Sequence, residues 1–388
     1  MKRIFLLLGI VVAVVAFGFS LISVSGSSDV SSSVVLTSLD SDISGYTRAD
    51  APRDWQFPQD FGAHPDFQTE WWYYTGNLAT REGRQFGFQL TFFRSALAPD
   101  MPPRSSEWAS RQAYLAHFTV TDVDGKRFPS FERWNRGALG LAGAQGSPFR
   151  VWLEDWSAEA MGNAMRLRAS ENGTAIDLVL QPGKPPTLQG DRGLSQKNPE
   201  PGNASYYYSL TRMPAAGTIR AGGETFEVTG LAWMDREWST SALGKDQVGW
   251  DWFALQLSDG RDLMLYQLRR TDGGDDRVDP SSNGTVIGPR GETRHLNRSD
   301  FELQVRDRWQ SPRSGASYPS GWRLRIPSEQ IDLNIEPLLP DQELDVSFSY
   351  WEGAVRLEGA SLGKPVQGRG YVEMTGYNEP RNAISRSR

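Results

Sequence analysis

Residues 165–180 read MRLRASENGTAIDLVL. Apolar and polar residues alternate over residues 165–169, Glu171-Asn172-Gly173 supplies a turn, and the alternation resumes over residues 176–180 before Pro182. A period of two on both sides of an Asn-Gly turn predicts an antiparallel β-hairpin.

The same alternation extends outward from this hairpin through most of the chain. It predicts strands near residues 87–93, 115–121, 149–156, 206–212, 301–305, 322–326, 331–335, 344–350 and 371–374. The chain contains 39 Gly, 23 Pro and 14 Trp, a composition that favours many short strands joined by turns. Meanders of this kind hide their edges by closing into barrels, so the sequence predicts an all-β fold.

The first segment resembles an export signal rather than part of the fold. Lys2 and Arg3 precede an apolar run over residues 4–22, and small residues follow at 23–26. Residues 1–25 are therefore interpreted as a signal peptide or, since the run is long enough to span a bilayer, an N-terminal anchor. Residues 26–53, rich in Ser and Asp, are expected to form a flexible leader. The protein is expected to be exported, either periplasmic or anchored to the outer face of the inner membrane.

The remaining chain is longer than one core usually organises, and it contains a faint internal repeat. WWYY at 71–74, REGR at 81–84 and FGFQL at 86–90 match WDWF at 250–253, SDGR at 258–261 and LMLY at 263–266. Each set predicts an aromatic strand, a Gly turn and a return strand. We expect two related domains, at residues 54–240 and 246–380, with the seam near residues 240–247.

Charge and composition argue against several function classes. The net charge is −6, so the chain lacks the basic surface that nucleic-acid binding requires. There is no Cys, and the three His residues, His64, His117 and His295, are not spaced as metal ligands; HExxH is absent. We expect no metal and no cofactor.

A series of motifs, in order along the chain, resembles the AttH and carotenoid 1,2-hydratase (hydroxyneurosporene synthase) family. The motifs are HPDFQTEWWYYTGNL at 64–78, YLAHF at 114–118, LSQK at 194–197, EPGNASYYY at 200–208, WMDREWS at 233–239, GWDWF at 249–253, YWEG at 350–353 and GRGYVE at 368–373. The resemblance implies two lipocalin-like antiparallel β-barrel domains in tandem. It also implies an apolar small molecule as ligand, such as an isoprenoid, a carotenoid or another lipid.

Acidic and aromatic residues lie close together in sequence over residues 233–252, and such a set could add water to a carbon–carbon double bond. Such a reaction needs an acid to protonate the bond, aromatic faces to stabilise the cation, and one controlled water. Asp235 and Glu237 lie two apart in a strand and therefore share a face, and Asp251 follows closely in sequence. Carboxyl groups that share an apolar pocket raise one another's pKa. The expected catalytic residues are Asp235, Glu237, Asp251 and His117.

The expected ligand-binding residues surround these acids in sequence: Glu70, Trp71, Tyr73, Trp238, Trp250, Trp252 and Tyr266. An alternative remains open, in which the acids and Arg236 form a buried network that closes a barrel end with Trp plugs. His117 is either a structural imidazole or a proton relay to Glu70 or Asp235. Glu352 and Glu373 are expected in turn or ladder roles. Lys197, in a loop over the barrel mouth, is expected to pair with a carboxylate.

Two functions of different classes follow from these observations. The first is a hydratase acting on an isoprenoid double bond, with Asp235 or Glu237 as proton donor. The second is a non-catalytic periplasmic carrier of an apolar ligand, associated with a membrane transport complex. A cavity lined only by apolar groups would favour the carrier.

Overall fold

The computed structural model describes residues 43–100, 106, 109–240, 243–271 and 278–378. Within these residues the fold is all-β, with every strand pair antiparallel, as predicted. In the described part of the chain, single-turn 3-10 helices occupy Gln59–Phe61, Arg298–Asp300 and Pro327–Glu329. No helix in these ranges is long and apolar enough to cross a membrane.

Thirteen strands form the first sheet, a nearly closed barrel. Its spatial order is β4-β3-β2-β1-β13-β12-β9-β8-β7-β6-β5, and the short β10 and β11 pair with β12. The strands are β1 (Thr69–Ala79), β2 (Gln85–Ala96), β3 (Gln112–Asp122), β4 (Ser130–Arg136), β5 (Ala142–Gly146), β6 (Phe149–Leu153), β7 (Trp156–Met161), β8 (Ala164–Glu171), β9 (Thr174–Leu180), β10 (Thr187–Leu188), β11 (Leu194–Gln196), β12 (Ala204–Ala221) and β13 (Glu224–Ser239).

Nine strands form the second sheet, a half-barrel. Its spatial order is β17-β16-β15-β14-β22-β21-β20-β19-β18. The strands are β14 (Gln247–Leu257), β15 (Asp262–Arg270), β16 (Asn283–Ile287), β17 (Thr293–Asn297), β18 (Glu302–Gln310), β19 (Ser317–Ile326), β20 (Ile331–Pro337), β21 (Trp351–Ser361) and β22 (Lys364–Met374).

The hairpin predicted at residues 165–180 is formed by β8 and β9. Glu171 pairs with Thr174, so the loop contains only two residues. Asn172 and Gly173 have φ angles of 44° and 82°, and positive φ at both central positions is the requirement of the tight turn that suits twisted strands.

One predicted strand, at residues 344–350, is absent. Apart from an isolated bridge between Glu343 and Trp351, this segment has no ladder partner among the described residues. It lies instead against β4 of the first sheet, where the Asp345 backbone N–H donates to Ser130 Oγ at 3.0 Å and the Ser347 hydroxyl donates to Glu132 at 2.6 Å. Contacts across the two sheets therefore replace the strand pairing that the alternation predicted.

The expected signal segment and most of the expected leader lie outside the described residues. Residues 43–53 of that leader pack on the first sheet rather than forming a flexible linker. Ala49 is fully buried, the Tyr46 hydroxyl donates to the Ala96 carbonyl at 3.2 Å, and Arg48 donates to the Gly202 carbonyl at 3.2 Å.

Each sheet encloses an apolar core, and a third apolar cluster lies between the outer faces of the two sheets. This third cluster includes Tyr73, Tyr207 and Trp233 from the first sheet and Trp252 and Tyr371 from the second. Such packing requires strands that are buried on both faces, and residues 232–239 of β13 are all buried. The site described next lies in this layer between the sheets.

Candidate active site between the two sheets

A pocket between the sheets collects most of the polar residues predicted for the site. We call it the intersheet pocket, and its free space, including the part open to solvent, is about 940 Å³. It is lined by the aromatic residues Trp71, Tyr73, Phe93, Tyr207, Trp250, Trp252, Tyr266, Phe348 and Tyr350, by the carboxyl groups Asp235, Glu237, Glu352 and Glu373, and by Lys197, Leu243, Leu268 and Thr375. Neither barrel interior contains it.

Asp235 lies in β13 and accepts three hydrogen bonds. Trp233 Nε1 and Ser209 Oγ donate to its Oδ1 at 2.7 and 2.5 Å, and the Tyr207 hydroxyl donates to Oδ2. These bonds favour the carboxylate, but burial outweighs them, and Glu237 adds like charge. The pKa of Asp235 is raised to about 7. Asp235 is therefore able to exchange a proton near neutral pH.

Glu237 shares the pocket face with Asp235, as the period of two predicted, and it is paired with a cation. Lys197 Nζ lies 2.9 Å from Glu237 Oε1, and the Ser205 hydroxyl donates to the same oxygen. Burial disfavours the charge on Lys197, but Glu237, Tyr266 and Asp235 together raise its pKa. The expected pairing of Lys197 with an acidic side chain is present in this contact between Lys197 and Glu237.

Glu352 and Glu373 belong to the second sheet and are directly opposite each other on β21 and β22. Like charges at such positions repel each other across about 5 Å. Glu352 accepts a bond of 2.9 Å from the Tyr73 hydroxyl, and Glu373 accepts one of 3.1 Å from Trp250 Nε1. Burial and the neighbouring carboxyl groups raise the pKa of Glu373 to about 8 and that of Glu352 well above its ordinary value. We call these two residues the acid pair.

Glu352 and Glu373 lie in the β21–β22 ladder, as expected, and both also line the intersheet pocket. Glu352 is fully buried and Glu373 is half-buried, and among the described residues Glu352 Oε1 has no hydrogen-bond partner. The sequence contained a signal for them. Tyr350 and Glu352 are two apart, as are Tyr371 and Glu373, so each acid shares a face with an aromatic residue.

Four predicted site residues lie outside the pocket: Glu70, Trp238, Asp251 and His117. Trp238 packs inside the first barrel with its ring stacked on His64 at 3.7 Å, and Glu70 is buried in the same interior. Asp251 faces the interior of the second sheet, where it contacts Arg269 at 3.3 Å and accepts bonds of 3.1 Å from the Tyr377 hydroxyl. Burial raises the pKa of Asp251, opposed by Arg269.

Glu70 forms a compensated cluster at one end of the first barrel, as the alternative interpretation described. Its carboxylate is paired with both Arg94 and Arg236, and the His64 backbone N–H donates to it at 3.0 Å. We call Glu70, Arg94, Arg236 and His64 the barrel-end cluster. Burial opposes the Glu70 charge, but the two guanidinium groups hold its pKa far below the usual range. Arg236 pairs here with the carboxylate of Glu70, and not with the carboxylates of Asp235 or Glu237.

His117 lies behind the pocket wall on β3. Its Nδ1 is 2.7 Å from the Tyr350 hydroxyl, and its Nε2 is 3.0 Å from Glu132 Oε2. Burial lowers its pKa, opposed by Glu132. The relay to Glu70 or Asp235 that the sequence suggested as one role of His117 is therefore not formed, since its partners are Tyr350 and Glu132.

Among the described residues, no group of three or more His, Asp or Glu side chains is arranged to hold a metal ion. The chemistry available in the intersheet pocket is that of carboxyl, phenol, indole and ammonium groups.

The fold and the pocket together define an all-β, lipocalin-like protein with a carboxyl-lined pocket between two sheets. The AttH-like family model matches residues 48–377, and the chain belongs to that family. An AttH protein of Nitrosomonas europaea is similar in structure, with 36% sequence identity, a TM-score of 0.74, and coverage of 84% of this chain and 99% of that one.

Kievitone hydratase from Nectria haematococca has the same fold, with a TM-score of 0.63 and 16% identity over 86% of this chain and 96% of that one. The search of curated proteins found no match to this chain.

Proposed function

We propose that the protein is a hydro-lyase that adds water across a carbon–carbon double bond of an apolar, isoprenoid-like molecule bound in the intersheet pocket. The observation that carries this proposal is the placement of four carboxyl groups among aromatic side chains in one pocket, with two of them opposite each other on paired strands. Acids whose pKa lies near or above neutrality are suited to protonate a weak base such as an alkene.

The acid pair is the proposed proton donor. Two adjacent buried carboxyl groups cannot both ionise readily, so they retain a proton at neutral pH. The free Oε1 of Glu352 is available to point a proton at a substrate, whereas both oxygens of Asp235 already accept bonds. This assignment replaces Asp235 and Glu237, which the sequence favoured for the role.

Asp235 is the proposed acceptor of the water proton. Three donors orient its carboxylate, and a pKa of about 7 allows it to take a proton at neutral pH. Glu237 is neutralised by Lys197, so it contributes a fixed dipole at the pocket wall rather than a mobile proton.

The proposed reaction conserves atoms and charge. The π electrons of the double bond take the proton of the acid pair and form a C–H bond, leaving a tertiary carbocation. The faces of Trp71, Trp250 and Trp252 stabilise this cation, as aromatic rings stabilise other cations. Water oxygen then forms the C–O bond and gives its surplus proton to Asp235. Before the next turnover Asp235 loses this proton and the acid pair regains one, so the cycle neither gains nor loses a proton.

The substrate class and the location of the protein are parts of the same proposal. The aromatic lining supports an apolar ligand, and kievitone hydratase, which shares the fold, is named for a hydration. The basic and apolar residues 2–22 support export, to the periplasm or the outer face of the inner membrane. A carrier would need only an apolar cavity, and the four carboxyl groups of the pocket do not support that alternative.

The test uses two probes, an acyclic carotenoid and a prenylated isoflavonoid, each incubated with the protein in water labelled with ¹⁸O and deuterium. We expect the wild type to place both labels on adjacent carbons of one probe. Glu352→Gln should lower the rate roughly 10²- to 10⁴-fold, the range typical of a lost general acid. Asp235→Asn should lower it by a smaller factor.

Glu343→Gln is the matched control, because Glu343 is a buried carboxyl group of the same segment that binds Ser311 and Tyr318 away from the pocket. It should retain the wild-type rate. Stable binding of an unchanged probe by both the wild type and Glu352→Gln would instead support the carrier and its membrane transport partner.

A further inference from the structure

A chain of hydrogen bonds leads from the surface of the first sheet to the pocket wall. Glu132 Oε2 lies 3.0 Å from His117 Nε2, and His117 Nδ1 lies 2.7 Å from the Tyr350 hydroxyl. His117 is fully buried, so both of its ring nitrogens are satisfied by these two partners and not by solvent.

The two ends of this series of hydrogen bonds differ in their exposure to solvent. The Glu132 side chain is 20% exposed and also accepts a bond of 2.6 Å from the Ser347 hydroxyl. Tyr350 is only 3% exposed, lines the intersheet pocket, and precedes Glu352 by two residues. Tyr350, Glu352 and Glu373 line the same pocket. Burial raises the pKa of Tyr350, and Glu352 and Glu373 raise it further.

The surroundings of His117 contain few other charges. Phe93 and Phe348 pack against the imidazole with ring centroids 5.4 and 5.1 Å away. Among the described residues, the charged group that acts on it is Glu132, whose own pKa is lowered through bonds to His117 and Ser347 despite its partial burial. His117 therefore joins two titratable side chains of different exposure, Glu132 and Tyr350.

We propose that Glu132, His117 and Tyr350 form a proton path between solvent and the acid pair. The inference rests on the proposed hydratase function, because it assigns a route to the protons of that reaction. His117 and Glu132 are positioning residues in this path and do not touch the substrate.

The resting orientation of the path follows from the ionised state of Glu132. His117 Nε2–H donates to the Glu132 carboxylate, so Nδ1 accepts the Tyr350 hydroxyl proton. A proton from the pocket can therefore move onto the Tyr350 oxygen. At the same time Tyr350 gives its own hydroxyl proton to His117 Nδ1, and His117 gives its Nε2 proton to Glu132.

After this step every hydrogen bond in the path is reversed: protonated Glu132 donates to His117 Nε2, and His117 Nδ1–H donates to the Tyr350 oxygen. Glu132 releases its proton to solvent and later takes another, and the reverse sequence then protonates the acid pair. One outward and one inward transfer per turnover match the stoichiometry of a hydration, which releases one proton from water and uses one at carbon.

Infrared spectroscopy of the full chain tests the path without a substrate. The C=O stretch of a protonated carboxyl group is separate from that of a carboxylate, and it shifts when the proton is replaced by deuterium. At neutral pH we expect a protonated band whose intensity falls in Glu352→Gln and in Glu373→Gln. The lost intensity is the signal of the acid pair, and Asp235, with a pKa of about 7, contributes to the remainder. Rapid dilution into deuterated buffer then measures how fast this proton exchanges.

Glu132→Gln and Tyr350→Phe should leave the band in place and slow its exchange by roughly tenfold or more, as expected for interruption of a His-mediated shuttle. Glu132→Gln keeps an acceptor for His117 at a partly exposed position, so folding should be preserved. Glu171→Gln is the matched control, since Glu171 is a half-buried carboxylate of the first sheet that pairs with Arg133.

The outcomes separate the two proposals. The absence of a protonated carboxyl band in the wild type near neutral pH would overturn the proposed acid and, with it, the path. A band that exchanges as fast in Glu132→Gln or Tyr350→Phe as in Glu171→Gln would overturn the path alone.

Discussion

The barrel-end cluster and the intersheet pocket are two buried sets of charges built largely by the same strands. β13 contributes Arg236 to the first and Asp235 and Glu237 to the second, because neighbouring residues of a strand point to opposite faces. On β13 the two sets therefore use adjacent residues, whose side chains lie on opposite faces of the sheet.

Their charge balance is opposite. At the barrel end, two guanidinium groups contact the single carboxylate of Glu70 and hold its pKa low. In the pocket, one ammonium group, Lys197, faces four carboxyl groups, and the pKa values of Asp235, Glu352 and Glu373 are raised.

The difference teaches how a functional set of charges is distinguished from a structural one in this fold. A compensated cluster stabilises a single arrangement and has no proton to give near neutral pH. An under-compensated set keeps protons that a reaction can use, at the expense of stability when it ionises. Burial alone does not distinguish the two, because Glu70, Arg94 and Arg236 in one set and Asp235, Glu237 and Glu352 in the other are all buried.

The largest effect should come from replacing the barrel-end carboxylate. Glu70→Gln leaves Arg94 and Arg236 buried without their counter-ion, and loss of one partner of a buried ion pair typically lowers the free energy of unfolding by about 3–5 kcal/mol. Urea unfolding monitored by Trp fluorescence measures this change in the free energy of unfolding.

The same chemical change in the pocket, Glu352→Gln, is the control for Glu70→Gln. It removes a carboxyl group that has no cationic partner among the described contacts, so the free energy of unfolding should stay constant or rise. Equal losses in the two variants would show that the charge balance does not distinguish the two clusters.

The pH dependence of stability should have opposite signs for the two clusters. In the pocket, folding raises the pKa of Asp235 to about 7 and of Glu373 to about 8, from about 4 in an unfolded chain. Their contribution is fully present below the unfolded pKa and is lost as the pH rises through the folded values, because the folded state binds more protons. Glu70, with its lowered pKa, contributes above its unfolded pKa and loses its contribution only in acid.

We therefore expect the free energy of unfolding to fall between about pH 5 and pH 8 by an amount of the order of a few kcal/mol. Glu373→Gln should flatten this decline, and Glu70→Gln should not. A decline that is just as steep in Glu373→Gln would remove the acid pair as its cause. Chemical denaturation at a series of pH values is the measurement.

Much of the fold, and part of the site, could be predicted from the sequence. The hairpin at 165–180, the all-β class and the shared face of Asp235 and Glu237 all depend on local alternation, which the sequence contains. Residues 344–350 alternate as a strand would, yet contacts with β4 determine their conformation. Such contacts between segments more than 200 residues apart have no local signal.

Alternation would also have excluded three of the predicted site residues. Glu70 adjoins Trp71, Trp238 adjoins Glu237, and Asp251 lies between Trp250 and Trp252, so each must face away from neighbours that line the pocket. Alternation within a strand does not predict how the two sheets pack against each other, and this packing forms the pocket. It brings Glu352 and Glu373 to Tyr73 and Asp235 from positions far away in sequence, and no pattern within one strand indicates it.

The smallest effect should come from removing one hydrogen bond from the pocket. Trp250 Nε1 donates to Glu373 at 3.1 Å and favours its carboxylate, so Trp250→Phe keeps the aromatic face but should raise the pKa of Glu373 further. A single hydrogen bond is worth about 1 kcal/mol, which corresponds to a rise of roughly half a unit to one unit. Infrared titration of the protonated carboxyl band gives the midpoint directly.

Trp71→Phe is the control for that substitution, because Trp71 lines the same pocket and its described contacts do not include Glu373. An unchanged midpoint in Trp250→Phe would mean that burial and the neighbouring carboxyl groups determine the pKa of Glu373 by themselves. A raised midpoint in Trp250→Phe but not in Trp71→Phe would show that one indole N–H sets how readily the acid pair gives up its proton. The strength of the proposed acid would then be adjustable without altering any carboxyl group.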